Sequence, residues 1–301
     1  MRAAHTRAHG VALGVVAACT YGIGPILIKV ALEDMSASTL LLYRLVLAAA
    51  MLWALLALAG RLRETPRRAK LWVGPLVLGA VAYGGQMTLF ALALERVSAS
   101  LTVILFHTAP IVVVAVTTLT GRERLTRLRL LALALGVGGV AVVATASGEL
   151  RAEPLGIALA VGSALAYAGV VLGSDAYAGS IAPLPLSVLL ATGAALALLV
   201  TAAPLGAGTP GDASGWLLVA AIAVLVGVIG TTALLAGVAM IGPSLASILL
   251  TLEPLVALLL AWIALGEHLS ALQLTGGALI LVAALVAHRA AAEPMPGASL
   301  A

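Results

Sequence analysis

Glu253 stands in T-L-E-P-L-V, residues 251–256, within a run from 243 to 266 that carries no other charge. A carboxyl in such a place can take up and release a proton, accept from the amino group of a solute, or act as a hydrogen-bonded structural group beside the bend that Pro254 imposes. His107 stands in H-T-A-P-I-V, residues 107–112, three positions before a second proline, Pro110. An imidazole there can exchange a proton or bond a neighbouring helix. Each proline removes a backbone donor and loosens the turn before it, which leaves carbonyls for another partner where a cavity is present. Thr108 and Thr251 add a hydroxyl beside each of these elements.

Other polar groups are spread through equally greasy surroundings. Tyr83 and Gln86 occur in Y-G-G-Q-M-T (83–88), Thr231 in G-V-I-G-T-T (227–232), and Tyr21 and Tyr167 in two further apolar runs. Each can pack or can offer a hydroxyl or amide to a solute. Lys29 lies close to the end of its run and can snorkel to an interface. Arg44 is deeper, where it could attract an anionic group or pair with a carboxylate.

These residues need elements to hold them, and composition says which. Of 301 residues, 62% are hydrophobic and 9% charged, against about 25% charged in soluble domains. Apolar runs of 20 or more residues recur, each able to cross about 30 Å of hydrocarbon as a helix. An ionisable group at the centre of such a span costs at least ~2.5–3.5 kcal/mol, so Glu253 and His107 each require a reason. The sequence therefore reads as an all-α membrane protein. Breaking it at charges, prolines and turn residues predicts ten spans, about 11–32, 37–59, 71–94, 98–120, 127–146, 155–175, 184–203, 215–240, 244–265 and 270–288. The first run exceeds a signal-peptide core and has charged residues behind it rather than small ones, so it is expected to remain as the first span.

With ten spans both termini share a side. That side collects Arg2, Arg7, Arg61, Arg63, Arg67, Arg68, Lys70, Arg122, Arg124, Arg127, Arg129 and Arg289, whereas the other collects only Arg96 and Arg151. The basic side is expected to be cytoplasmic, in a bacterial inner membrane. Trp53, Trp72, Trp216 and Trp262 each fall near a span end, as interfacial aromatics do. Basic residues that flank spans set topology, so nucleic acid is not an expected partner. The single Cys19 excludes an intrachain disulfide and a cysteine-rich metal site. There is no P-loop, no H-E-x-x-H and no paired G-x-S-x-G, and no cofactor or metal is expected.

The chain repeats itself. At an offset of 144, residues 97–112 lie over 241–256, pairing Ser100 with Ser244, Leu105 with Leu249 and Pro110 with Pro254, and then Glu123 with Glu267. His107 falls two residues from the position equivalent to Glu253. Residues 10–21 lie over 156–167 and pair Tyr21 with Tyr167, while Gly85 lies over Gly230 at an offset of 145. The unit is five spans, expected as 1–148 and 149–288, followed by a disordered cytoplasmic tail, 289–301. Because five is odd, the second copy enters the membrane inverted, the arrangement of secondary transporters with a midplane site.

The motifs Y-G-I-G-P-I-L-I-K-V-A-L in the first span and Y-R-L-V-L-A-A-A in the second come with the A-P and E-P prolines and with the R-E-R-L and G-E-H-L that follow them. Together they resemble the drug/metabolite transporter superfamily, in its ten-helix EamA branch, over residues 10–288. The resemblance implies a basket in which helices 1, 3, 4, 6, 8 and 9 enclose a central cavity, with 5 and 10 peripheral and used in some members for dimer contacts. It implies transport of small metabolites by a monomer or homodimer and no enzymatic activity. Because it keeps helix 2 off the cavity, a structural role is expected for Arg44. Glu123 and Glu267 are expected to anchor helix ends; Asp175 falls at the cytoplasmic end of the sixth span, where it could make a gate contact but nothing in the sequence supports one. The few midplane charges favour export of amino acids or similar solutes, with or without a proton. Export of drugs or cationic compounds, and a channel-like uniporter, are the alternatives.

Overall fold

The computed structural model describes residues 2–66, 68, 70–97, 99–146, 153–201, 206–265 and 270–292. Ten helical stretches among them are long and apolar enough to cross a membrane: α1 (Arg7–Ile28), α2 (Ala37–Leu58), α3 (Lys70–Leu94), α4 (Leu101–Leu119), α5 (Arg127–Thr145), α6 (Pro154–Tyr177), α7 (Pro183–Thr201), α8 (Ala213–Ile241), α9 (Pro243–Leu260) and α10 (Ala271–Ala290). The described residues contain no strand. The ten expected spans and these ten agree in order, with ends a few residues apart. Glu267, Arg151, Arg67, the expected repeat boundary at 148/149 and the tail beyond 292 lie outside the described residues, as do the side chains of Lys29 and Ser100.

Helix starts follow local chemistry. Ser36, Thr126 and Asp212 each accept a hydrogen bond from a backbone N–H three residues on, at the starts of α2, α5 and α8. Ser270 and Gln273 cap α10 reciprocally, at 3.2 and 2.8 Å, which satisfies donors the helix cannot. Proline opens α6 and α9, where its missing N–H has no intrahelical use.

Four spans are irregular, and the irregularities recur at the offsets of the sequence repeat. α3 widens into a π-helical segment over Leu78–Gly84, and α8 does so over Ala223–Gly230. α4 breaks after Phe106 and resumes at Ala109, with Pro110 in its first turn. Helix α9 narrows to a 3₁₀ turn over Leu250–Leu252 and resumes at Glu253, just before Pro254. In α9 the Glu253 N–H returns to the Leu250 carbonyl, which Pro254 cannot serve. Such local unwinding is tolerated at membrane depth where backbone is buried or lines a cavity.

Two buried clusters hold most of the core, and a smaller one around Leu40, Ile222 and Val226 joins α2 and α8 to Tyr21 and Ile28 of α1. α1, α4, α5, α6, α8, α9 and α10 share one core, in which Val113, Ile248, Leu249 and Ile280 are fully buried. α2, α3 and α7 share another, around Leu45, Leu52 and Val188. Small residues set the approach distances. Gly79 of α3 faces the Leu190 carbonyl of α7 and Gly193 of α7 faces the Leu76 carbonyl of α3, so a side chain at either would overlap backbone. α5 and α10 touch through Gly139 and Gly276, each against the other's carbonyl.

Candidate functional site

Between these groups lies a cavity of about 610 Å³, inside the range of small-molecule sites. Its base is polar. Tyr21 of α1, Arg44 of α2, Tyr83 and Gln86 of α3, His107 of α4, Tyr167 of α6 and Glu253 of α9 all line it. Its wall is apolar, formed by Ile28, Leu40, Leu41, Met87, Phe90 and Phe106 among others, and its mouth is at the end of the bundle where Leu32, Ala37, Leu94 and Glu95 lie.

The irregular turns explain how the base is presented. At the end of the π segment of α8, the Thr231 hydroxyl donates to the Val226 carbonyl, five residues back, at 3.2 Å. That proton being used, the Tyr83 hydroxyl donates to Thr231 Oγ1 at 3.0 Å and the Tyr21 hydroxyl at 3.4 Å. One threonine thus orients two tyrosines from two other spans. Ser163 of α6 donates to the Gln86 carbonyl at 3.0 Å and fixes α3 at the same depth. At the break in α4, the His107 N–H and Nδ1 both reach the Val103 carbonyl at 3.0 Å. A carbonyl only accepts, so Nδ1 carries the proton and Nε2 is left as an acceptor.

Several groups at the base have unused bonding capacity. The Tyr167 hydroxyl is buried without a hydrogen-bond partner among the described residues. Glu253 is half-buried, and no cation lies within 4.0 Å of its carboxylate among the described residues. Its backbone carbonyl abuts Gly22, where a Cβ would come within 2.7 Å, so α1 and α9 touch at the bend. Arg44 is buried, and its Nη2 donates to Met87 Sδ at 3.1 Å.

The opposite, basic end of the bundle is packed shut. Ser244 of α9 donates to Thr117 of α4 at 2.9 Å, the Thr117 proton being engaged by Val113 and Val114 carbonyls. Glu123 and Arg129 pair at 2.6 Å with both side chains largely buried. The Glu123 carboxylate presses on Gly242, in the turn between α8 and α9, where φ is +83°. Arg122 and Asp175 form a longer, half-exposed pair at 3.7 Å.

Set against the sequence, the structure brings Tyr21, Tyr83, Gln86, His107, Tyr167 and Glu253 into one cavity, with Thr231 behind them. It does not bring Thr108 or Thr251 there. The Thr108 hydroxyl returns to the Leu105 carbonyl at 2.6 Å, and that of Thr251 to Ile248 at 2.8 Å, with Thr251 facing Gly136 of α5. Arg44 is a correction in the other sense: helix 2 does reach the cavity, and Arg44 with it. Sequence reasoning also passed over Phe90 and Phe106. Their rarity was the available signal, because the chain has two Phe in all and both line the cavity.

A family model, the EamA-like transporter family, matches the chain twice, over residues 8–145 and 154–288. The chain belongs to the EamA-like transporter family. It is therefore a multi-pass membrane protein of a small-molecule transporter family, all-helical as that fold is. One solved structure, "Crystal structure of protein", is similar over 92% of this chain and 97% of the other, with a TM-score of 0.78 and 20% identity, which shows the shared fold. No curated protein matches the chain.

Proposed function

We propose that this EamA-family protein is a secondary transporter that exports small polar metabolites, amino acids foremost, across a bacterial inner membrane by alternating access. The carrying observation is a cluster of polar side chains sealed at one end of the bundle and reached by a cavity from the other. By the positive-inside rule the sealed basic end is cytoplasmic, so the captured arrangement is outward-facing. Residues 1–148 and 149–288 act as the two repeats, the second inverted because each contains five spans. Exchange of their conformations opens the cytoplasmic end and closes the other. Both copies keep a proline-bent helix and a π-widened helix near the cavity, the elements that such an exchange would flex.

Within this reading Glu253 carries the coupled proton or receives the solute's ammonium group. Tyr21, Tyr83, Gln86 and Tyr167 supply neutral hydrogen bonds, and His107 Nε2 an acceptor. The apolar wall favours one second reading, export of lipophilic cations with Glu253 as counter-charge, but Arg44 in the same cavity repels them. Purified protein in liposomes decides between the readings. Saturable counterflow of labelled amino acids is expected, linear unsaturable flux would mean a channel, and counterflow of lipophilic cations alone would favour the second reading.

A further inference from the structure

Arg44 presents a charge that no described residue pairs. Only 8% of the residue is exposed. Among the described residues no carboxylate lies within 4.0 Å of it, and its hydrogen bond goes to Met87 Sδ. A thioether is a weak acceptor, and a guanidinium carries five donors it cannot lose by deprotonation. Leaving such a charge buried and unpaired costs several kcal/mol. An arginine used only to fasten helices would be expected to bond backbone carbonyls or a carboxylate, whereas this one lines the cavity.

The surroundings define what would complete it. The planar fork matches a carboxylate through two parallel N–H···O bonds. Beside it the cavity is walled by Leu40, Leu41, Phe90 and Phe106, which accommodate an apolar body and offer nothing to a sugar or a polyphosphate. Glu253 lines the same cavity without pairing with Arg44. The two charges are therefore held apart within one space, the arrangement that a zwitterion can span and an internal ion pair would abolish.

We infer that Arg44 is the carboxylate anchor of the solute, and that the solute is a monocarboxylate with a compact apolar body, an apolar α-amino acid within the transport reading on which this rests. The residue sets specificity: a solute lacking the carboxylate leaves the buried guanidinium unpaired, a mismatch that buried polar sites reject strongly.

The test is calorimetric binding to the purified protein, using leucine, valine and phenylalanine against their amides, which differ only in the carboxylate. The acids are expected to bind at least about tenfold more tightly than the amides, tenfold being 1.4 kcal/mol. In Arg44→Gln this preference is expected to vanish. Arg44→Lys, which keeps the charge and loses the fork, should fall between. Equal binding of acid and amide by the unaltered protein, or binding of neither, overturns the assignment whether or not the variants fold. So does a folded Arg44→Gln that keeps the preference. Counterflow on the same preparation tests the transport reading separately: saturable exchange with no acid-over-amide preference would sink the anchor and leave the transporter standing.

Discussion

The open end and the closed end of the bundle are held by different kinds of contact. At the open end the polar links between described residues run alongside the mouth. Thr39 at the start of α2 accepts from Gly208 before α8, at 2.9 Å, and Arg96 after α3 pairs with Glu153 before α6, at 3.6 Å. Leu32 and Ala37 on one side thus face Leu94 and Glu95 on the other with apolar wall between. At the closed end the links cross: α4 to α9 through Thr117 and Ser244, the α4–α5 turn to the α8–α9 turn through Glu123 at Gly242, and the same turn to α6 through Arg122 and Asp175. The polar links across the closed end are few, most of them of about 1 kcal/mol. Links of that size suit the exchange proposed above, since conformers within a few kcal/mol interconvert thermally.

The largest break in this comparison is expected at the base the two ends share. Glu253→Gln keeps the shape and hydrogen-bonding reach of the side chain but removes its proton chemistry. Accumulation driven by a pH gradient should drop to background in liposomes while exchange at equal pH persists; accumulation at the unaltered rate would remove Glu253 from coupling. Next in size is Gly242→Ala. At φ +83° and ψ 162° a side chain costs about 1–3 kcal/mol, and its Cβ would collide with the Glu123 carboxylate that Arg129 holds. The thermal midpoint should fall, and a cysteine placed at the basic end should label faster. Gly85 of α3 is half-buried with open space where a Cβ would stand, so Gly85→Ala serves as the control that should change neither.

How far the site could be read in the sequence depends on what unwinding does to a helix. The ten spans and their order were legible because length and hydropathy alone decide whether a helix can cross a membrane. The bent elements were legible because Pro110 and Pro254 stand at one offset. Facing was not. In a uniformly apolar span no polar stripe marks the inner side, so direction must be inferred from helical phase, and phase is lost where a span changes pitch. Thr251 sits in the 3₁₀ turn of α9, and Thr108 at the break in α4, where their hydroxyls return to nearby backbone carbonyls. The π segments of α3 and α8 had only their glycines as a signal. Arg44 differs: its depth in the second span pointed to an anionic partner, and only the family arrangement, which keeps helix 2 peripheral, argued against the cavity.

Smaller effects separate the two kinds of crossing contact at the closed end. Thr117→Val removes the acceptor for the buried Ser244 hydroxyl, a loss of about 1–3 kcal/mol when one partner is stranded. Adding Ser244→Ala should restore part of it, because an apolar pair strands nothing, and a double-mutant cycle in the labelling rate reads the difference. Additive losses would mean that the two hydroxyls do not act as a pair. Arg122→Ala should do least. Its partner Asp175 stands 3.7 Å away, with Arg122 about half exposed, so the pair contributes about 0.2–1 kcal/mol. The change in labelling should shrink as salt is raised, since exposed charges are screened within about 10 Å at 0.1 M, whereas the Thr117→Val change should not. An Arg122→Ala effect that matched Thr117→Val and ignored salt would show that the closed end is held by its rim, and the ranking of the two contacts would reverse.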